Sequence, residues 1–84
     1  MNKEAAETLA IRAIAHIAGD DELLEGLFAQ TGMGIEDLKV GITSNDVQRG
    51  ALDFLLSHEP FLMGFVEDSG YAAEDPARAQ VVLS

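Results

Sequence analysis

Residues 8–39 are matched further along the chain by residues 46–77, and this match limits the folds open to the sequence. Aligned without gaps, the two stretches place apolar residues opposite apolar residues, and Gly26 falls opposite Gly64. Apolar positions three and four apart predict helices, because that spacing returns to one helix face. We therefore expect an all-α fold, a compact bundle built as two weakly similar three-helix halves.

Capping signals divide this pattern into five to six short helices. Asp20 is suited to begin the second helix through its side-chain oxygen, and Gly19, Gly32 and Gly70 are suited to end helices in the left-handed conformation. The connecting segments are only a few residues long, so we expect a single helical domain over residues 1–84. The predicted helices cover residues 3–18, 21–31, 35–40, 46–56 and 60–69, with a last one after Asp75.

The charge of the chain restricts its partners. Fifteen acidic side chains stand against five basic ones, which gives a formal charge of −10. Such a surface repels phosphate backbones and anionic lipids, so we expect no nucleic-acid and no membrane partner. No apolar run approaches the ~20 residues of a membrane span. The chain has no cysteine, and its first residues do not resemble a secretory signal, so we expect a cytoplasmic protein.

Equivalent positions of the two halves differ in polarity at two points. Phe54 stands opposite His16, and Met63 stands opposite Glu25. If the first-half positions face solvent, the second half exposes additional apolar surface, which is typical of a partner-binding site. The alternative is that the last helix or the first covers Phe54. The candidate partner-binding patch consists of Phe54, Phe61, Met63 and Tyr71.

Glycines inside predicted helices need a physical reason. Glycine in a helix interior costs roughly 1 kcal/mol relative to alanine. One explanation is that the second and fifth helices cross closely at Gly26 and Gly64. The other is that each glycine only makes room for a bulky neighbouring side chain.

The histidines and acids do not form a recognised catalytic or metal-binding motif. Ser57, His58 and Glu59 are consecutive, and three consecutive side chains on a turn cannot relay a proton in line. His16 and His58 lack the spacing of a helical zinc motif. We therefore expect no catalytic residue, no cofactor and no metal, and a protein that is not an enzyme.

Two segments, ELLEGLFAQTGMGIEDLK and LDFLLSHEPFLMGFVEDSGY, followed by a short alanine-rich ending, resemble a family of small bacterial proteins classed as a domain of unknown function. The resemblance implies an all-helical cytoplasmic protein and brings no reaction, cofactor or catalytic residue. The residues that carry it are Thr31, Gly32, Asp37, Leu38, Lys39, Leu52, Asp53 and Glu59.

Two functions remain open at this point. The first is a protein–protein interaction or regulatory adaptor module that binds a protein partner or associates with itself. The second is a small enzyme or ligand-binding protein with a carboxylate and histidine cleft between the halves, in which His58 and Glu59 are the candidate residues.

Overall fold

The computed structural model describes all residues from 1 to 84 and contains six α-helices and no strand, which confirms the predicted all-α class. The predicted bounds of the first three helices agree with the structure, whereas the fourth and fifth each begin one residue earlier than predicted. The helices are α1 (Lys3–Ala18), α2 (Asp21–Thr31), α3 (Ile35–Val40), α4 (Asn45–Leu56), α5 (Glu59–Ser69) and α6 (Asp75–Leu83).

Local hydrogen bonds set the ends of α2 and α5. Oδ1 of Asp20 accepts the backbone N–H groups of Glu22 and Leu23 at 2.9 and 3.2 Å, so the predicted cap of α2 is confirmed. Gly32 and Gly70 end α2 and α5 with φ of 77° and 80°, a left-handed conformation that glycine adopts without a steric penalty.

The prediction for Gly19 is wrong. Its φ is −83°, so α1 does not end in a left-handed turn. Its N–H group donates to the Ala15 carbonyl, and the N–H of Asp20 donates to the Ile17 carbonyl, each at 3.1 Å. Only two residues separate α1 from α2, and this tight turn brings Asp20 directly to the cap of α2.

The centre of the molecule is formed by α1, α4 and α6, which pack against one another. Alanines on α1 allow the neighbouring helices to approach closely, since Ala6, Ala10 and Ala13 are completely buried. All six helices contribute to one hydrophobic core cluster. Its largest fully buried apolar side chains are Phe54, Phe65, Leu9, Ile17, Leu27, Leu52 and Leu55.

The remaining helices lie around this centre. In the proposed repeat, α1 corresponds to α4 and α2 to α5. Both α2 and α5 contact α1 and α4, as this correspondence requires. The third helices differ, because α6 packs along both α1 and α4 while α3 makes only slight contacts and is held by the buried Leu38. The similarity of the two halves therefore stays a prediction.

A buried polar residue that the sequence did not indicate fixes the start of α4. Gln48 is only 1% exposed, and its Nε2 donates to the Ile42 carbonyl at 3.0 Å. Nδ2 of Asn45 donates to Oε1 of Gln48 at 2.8 Å and to Oε2 of Glu7 at 3.1 Å. The network connects the loop before α4 to α1 and satisfies the buried amide.

Candidate functional site

Phe54 does not belong to a surface patch. It is 1% exposed, and its ring centroid lies 5.5 Å from that of Phe61 and 5.0 Å from that of His58. Its ring also faces Gly26 of α2, where a Cβ atom would come within 2.9 Å of Cζ. Of the two alternatives for Phe54, the structure supports a covered ring, because α2 and α5 enclose it from two sides, and Phe54 is therefore not available to a partner-binding patch.

The other three patch residues lie at the surface but do not form one patch. Met63 is 40% exposed, whereas Phe61 and Tyr71 are half-buried. Residues two apart on a helix point in different directions, so Phe61 and Met63 lie on different sides of α5. Tyr71 follows α5, with its ring centroid 6.0 Å from that of Phe65. Whether any of these side chains binds a partner stays a prediction.

The structure does not place His58 and Glu59 in a common cleft. Nδ1 of His58 lies 2.9 Å from the Phe54 carbonyl oxygen, and its ring stacks on Phe61 at 5.3 Å between centroids. Glu59 is exposed at the first turn of α5. The His58 ring therefore extends the aromatic packing around Phe54, and neither residue lines a depression of the surface.

A histidine and a carboxylate do meet in a groove between α1 and α5. Nδ1 of His16 lies 3.2 Å from Oδ2 of Asp68, and the edge of its ring faces Phe65 at 5.6 Å between centroids. Two open depressions share this pair. One, of about 430 Å³, extends towards Arg12 and Ser69. The other, of about 280 Å³, is called the Gly64 recess here, and its lining residues are His16, Asp20, Glu22, Leu23, Pro60, Phe61, Gly64, Glu67 and Asp68.

The Gly64 recess is strongly acidic. Four carboxylates and no lysine or arginine line it. Only Asp68 has a possible cationic partner within 4.0 Å, the His16 ring, while Asp20, Glu22 and Glu67 form no ion pair. Arg12 lines the other depression, and its guanidinium lies over the Tyr71 ring at 5.9 Å from the centroid. The recess therefore presents negative charge that no lysine or arginine of the chain balances, although Oδ1 of Asp20 also accepts the N–H groups that begin α2.

The chain has neither a group of side chains suited to bind a metal ion nor a helix suited to cross a membrane. No three histidine, aspartate or glutamate side chains lie close enough together to hold a metal ion. None of the six helices combines the length and the apolar character needed to cross a bilayer.

The sequence indicated only part of this site. Comparison of the halves singled out His16, but nothing in the sequence indicated Asp68 as its partner, because the two residues lie on helices that meet only after folding. Of the two explanations for Gly26 and Gly64, the close crossing of α2 and α5 is wrong, and room for a bulky neighbour holds at Gly26 only. Phe54 occupies the space beside Gly26, and an added Cβ at Gly64 would meet nothing within 4 Å.

Comparison with known proteins identifies a family but no function. Residues 3–84 match the model of a family described as a protein of unknown function (DUF3572). No curated protein and no solved structure gives a significant match to the chain.

Proposed function

The chain belongs to this family of proteins of unknown function (DUF3572), and since the family brings no assigned activity we propose from its surface that it is a protein-interaction module. The module acts in the cytoplasm and binds a positively charged segment of a partner protein in the groove between α1 and α5. The proposal includes no reaction and no cofactor.

The acidic lining of the Gly64 recess is the observation that carries the proposal. Asp20, Glu22 and Glu67 line one depression without a lysine or arginine of the chain itself. A basic partner would offset this negative charge. It would also be steered to the groove by the field of a chain with a formal charge of −10.

The composition of α5 supports a contact surface beside these acids. Residues 60–66 contain no charged side chain, yet Phe65 is the one residue of α5 that is buried. A helix with this many apolar residues usually places most of them in the core. Phe61 packs against the core but stays partly exposed and lines the recess, so it gives a partner an apolar surface to cover while the acidic rim fixes the orientation.

A partner of opposite charge fits this groove better than a second copy of the chain. Two copies meeting through their acidic recesses would bring like charges together, which opposes association. Self-association through another surface, such as the exposed side chain of Met63, does not compete with the groove.

Charge reversal within the groove tests the proposal. The tagged chain carrying Glu67→Lys is expected to lose a partner that the unchanged chain retains during affinity purification from its own cells. Glu25→Lys is the matched control, because Glu25 is exposed on α2, lies outside the groove lining and changes the net charge equally. The partner should remain bound to this control.

Two results would contradict the proposal. The first is the absence of any retained protein whose binding depends on Glu67. The second is equal loss of the partner from both variants, which would indicate attraction to the overall charge instead of binding in the groove. Circular dichroism of both variants verifies that the helical content is unchanged.

A further inference from the structure

Helix α3 is held to the rest of the molecule mainly by one side chain. Of its six residues only Leu38 is buried, whereas Ile35 and Val40 are 43% and 82% exposed. Its hydrogen bonds are local, with all partners between residues 34 and 41. Its charged side chains form no ion pair with another helix. The burial of Leu38 is therefore the main interaction that keeps α3 in place.

The packing of α3 on α1 is also incomplete. An apolar depression of about 170 Å³ lies between the two helices, and its walls include Ile14 and Ala18 of α1 together with Ile35, Leu38 and Ile42. Protein interiors are normally close-packed, and side chains that border a gap lose dispersion contacts on that side. The attraction between α3 and α1 is therefore weaker than between two well-packed helices.

The residues on either side of α3 are fixed to α4. Before the helix, Cε of Met33 lies 3.5 Å from the position that a Cβ atom would take at Gly50. After the helix, Nε2 of the buried Gln48 donates to the Ile42 carbonyl at 3.0 Å. An opening of the chain at this point is therefore confined to the residues between Met33 and Ile42.

Helix α6 is also short, and it shows the contrast. It buries Pro76, Ala79 and Leu83 and packs along both α1 and α4. Release of α6 would uncover the centre of the molecule, whereas release of α3 would uncover chiefly Leu38 and Ile14, which is 3% exposed. Local opening costs least free energy where few apolar contacts break. Among the six helices, α3 is the one whose release disturbs the core least.

We infer that α3 is a flap that opens as one unit while the other five helices stay packed. In the open form, residues 34–41 leave α1, stay tethered at Met33 and Ile42, and uncover the apolar flank of α1 around Ile14. This conformational change goes beyond the proposed function, since it concerns a different flank of α1 from the groove with α5 and needs no partner.

Hydrogen exchange of the native protein, followed by NMR at each amide, tests the inference. The amides of residues 38–41 donate within α3 and its last turn. They are expected to share one opening constant, at least about tenfold larger than that of the slowest amides in α1 and α4. Their exchange should depend little on low concentrations of urea, because opening of α3 exposes little surface.

Two results of this experiment would overturn the inference. Different opening constants for the four amides would indicate fraying residue by residue instead of a unit. Exchange with the same opening constant and urea dependence as in α1 and α4 would indicate that α3 unfolds only with the whole domain.

A matched pair of leucine substitutions separates local from global opening. Leu52→Ala truncates a fully buried side chain of α4. It should speed exchange of the slowest amides in α1 and α4 by roughly 30-fold or more, and leave residues 38–41 unchanged. Leu38→Ala weakens the closed form itself and should speed exchange at residues 38–41 by a similar factor. Equal acceleration of these amides by both substitutions would contradict a separate opening of α3. The exchange of the unchanged chain decides the question if Leu52→Ala does not fold.

Discussion

The same substitution at Gly26 and Gly64, which are aligned in the two halves, is expected to raise stability at Gly64 and not at Gly26. Gly26→Ala and Gly64→Ala each replace a glycine within a helix by the residue with the highest helix propensity. The structure distinguishes them, because the new methyl group meets the buried Phe54 ring at Gly26 and open space at Gly64. The difference in stability between the two variants therefore reports the effect of the contact with Phe54.

The magnitudes follow from two terms. Replacing glycine by alanine in a helix interior favours folding by about 1 kcal/mol. At Gly64 nothing opposes this term, so the free energy of unfolding should rise by about 1 kcal/mol, or about 4–8 °C in Tm for a domain of this size. At Gly26 the Cβ would lie 2.9 Å from Cζ of Phe54. Overpacking of this kind costs about 1–3 kcal/mol, so the net change should lie between about zero and a loss of about 2 kcal/mol.

Urea unfolding followed by the helical circular dichroism signal checks this prediction. The free energy of unfolding in water is obtained for each variant and for the unchanged chain by linear extrapolation. Equal dependence of this free energy on urea concentration indicates that the unfolded states are comparable. Equal stabilisation by both substitutions would refute the placement of Phe54 over Gly26. Destabilisation by Gly64→Ala would show that Gly64 is covered, which removes the recess.

Three further predictions concern stability. Asp20→Ala should lower the free energy of unfolding by about 1 kcal/mol, since two N–H groups of α2 lose their acceptor, and thermal unfolding measures this loss. Phe54→Ala should cost about 3–5 kcal/mol, while Met63→Ala should change stability by less than about 0.5 kcal/mol, and similar losses for both in urea unfolding would contradict their different burial. Gln48→Ala should cost about 1–3 kcal/mol because the Ile42 carbonyl loses its donor, and rapid hydrogen exchange at the start of α4 should accompany the loss.

The helices were predictable because their signals are local. The spacing of apolar residues selected the faces of α1 and α4. The side chain of Asp20 sets the start of α2, and Gly32 and Gly70 set the ends of α2 and α5, each through contacts within one turn of the chain. Gly19 shows the limit of such signals. A glycine after a helix permits the left-handed conformation, but the two-residue connection to α2 determined the conformation that the chain adopts.

The candidate site was predictable only in part because it depends on contacts between helices. Comparing the halves identified the position shared by His16 and Phe54 as different, yet it left open which of the two residues is exposed. Phe54 is covered by α2 and α5, while His16 leaves the open space. Sequence comparison shows that two residues differ in size and polarity, but only the packing of neighbouring helices decides which of them is buried.

Gly64 and Gly26 weaken their helices in different surroundings. The chain would be more stable with alanine at Gly64, since the glycine weakens α5 and makes room for no side chain of the chain. At Gly26 the corresponding loss is offset by the burial of Phe54. The cost of a helical glycine is therefore compensated within the fold at one of the two positions and not at the other.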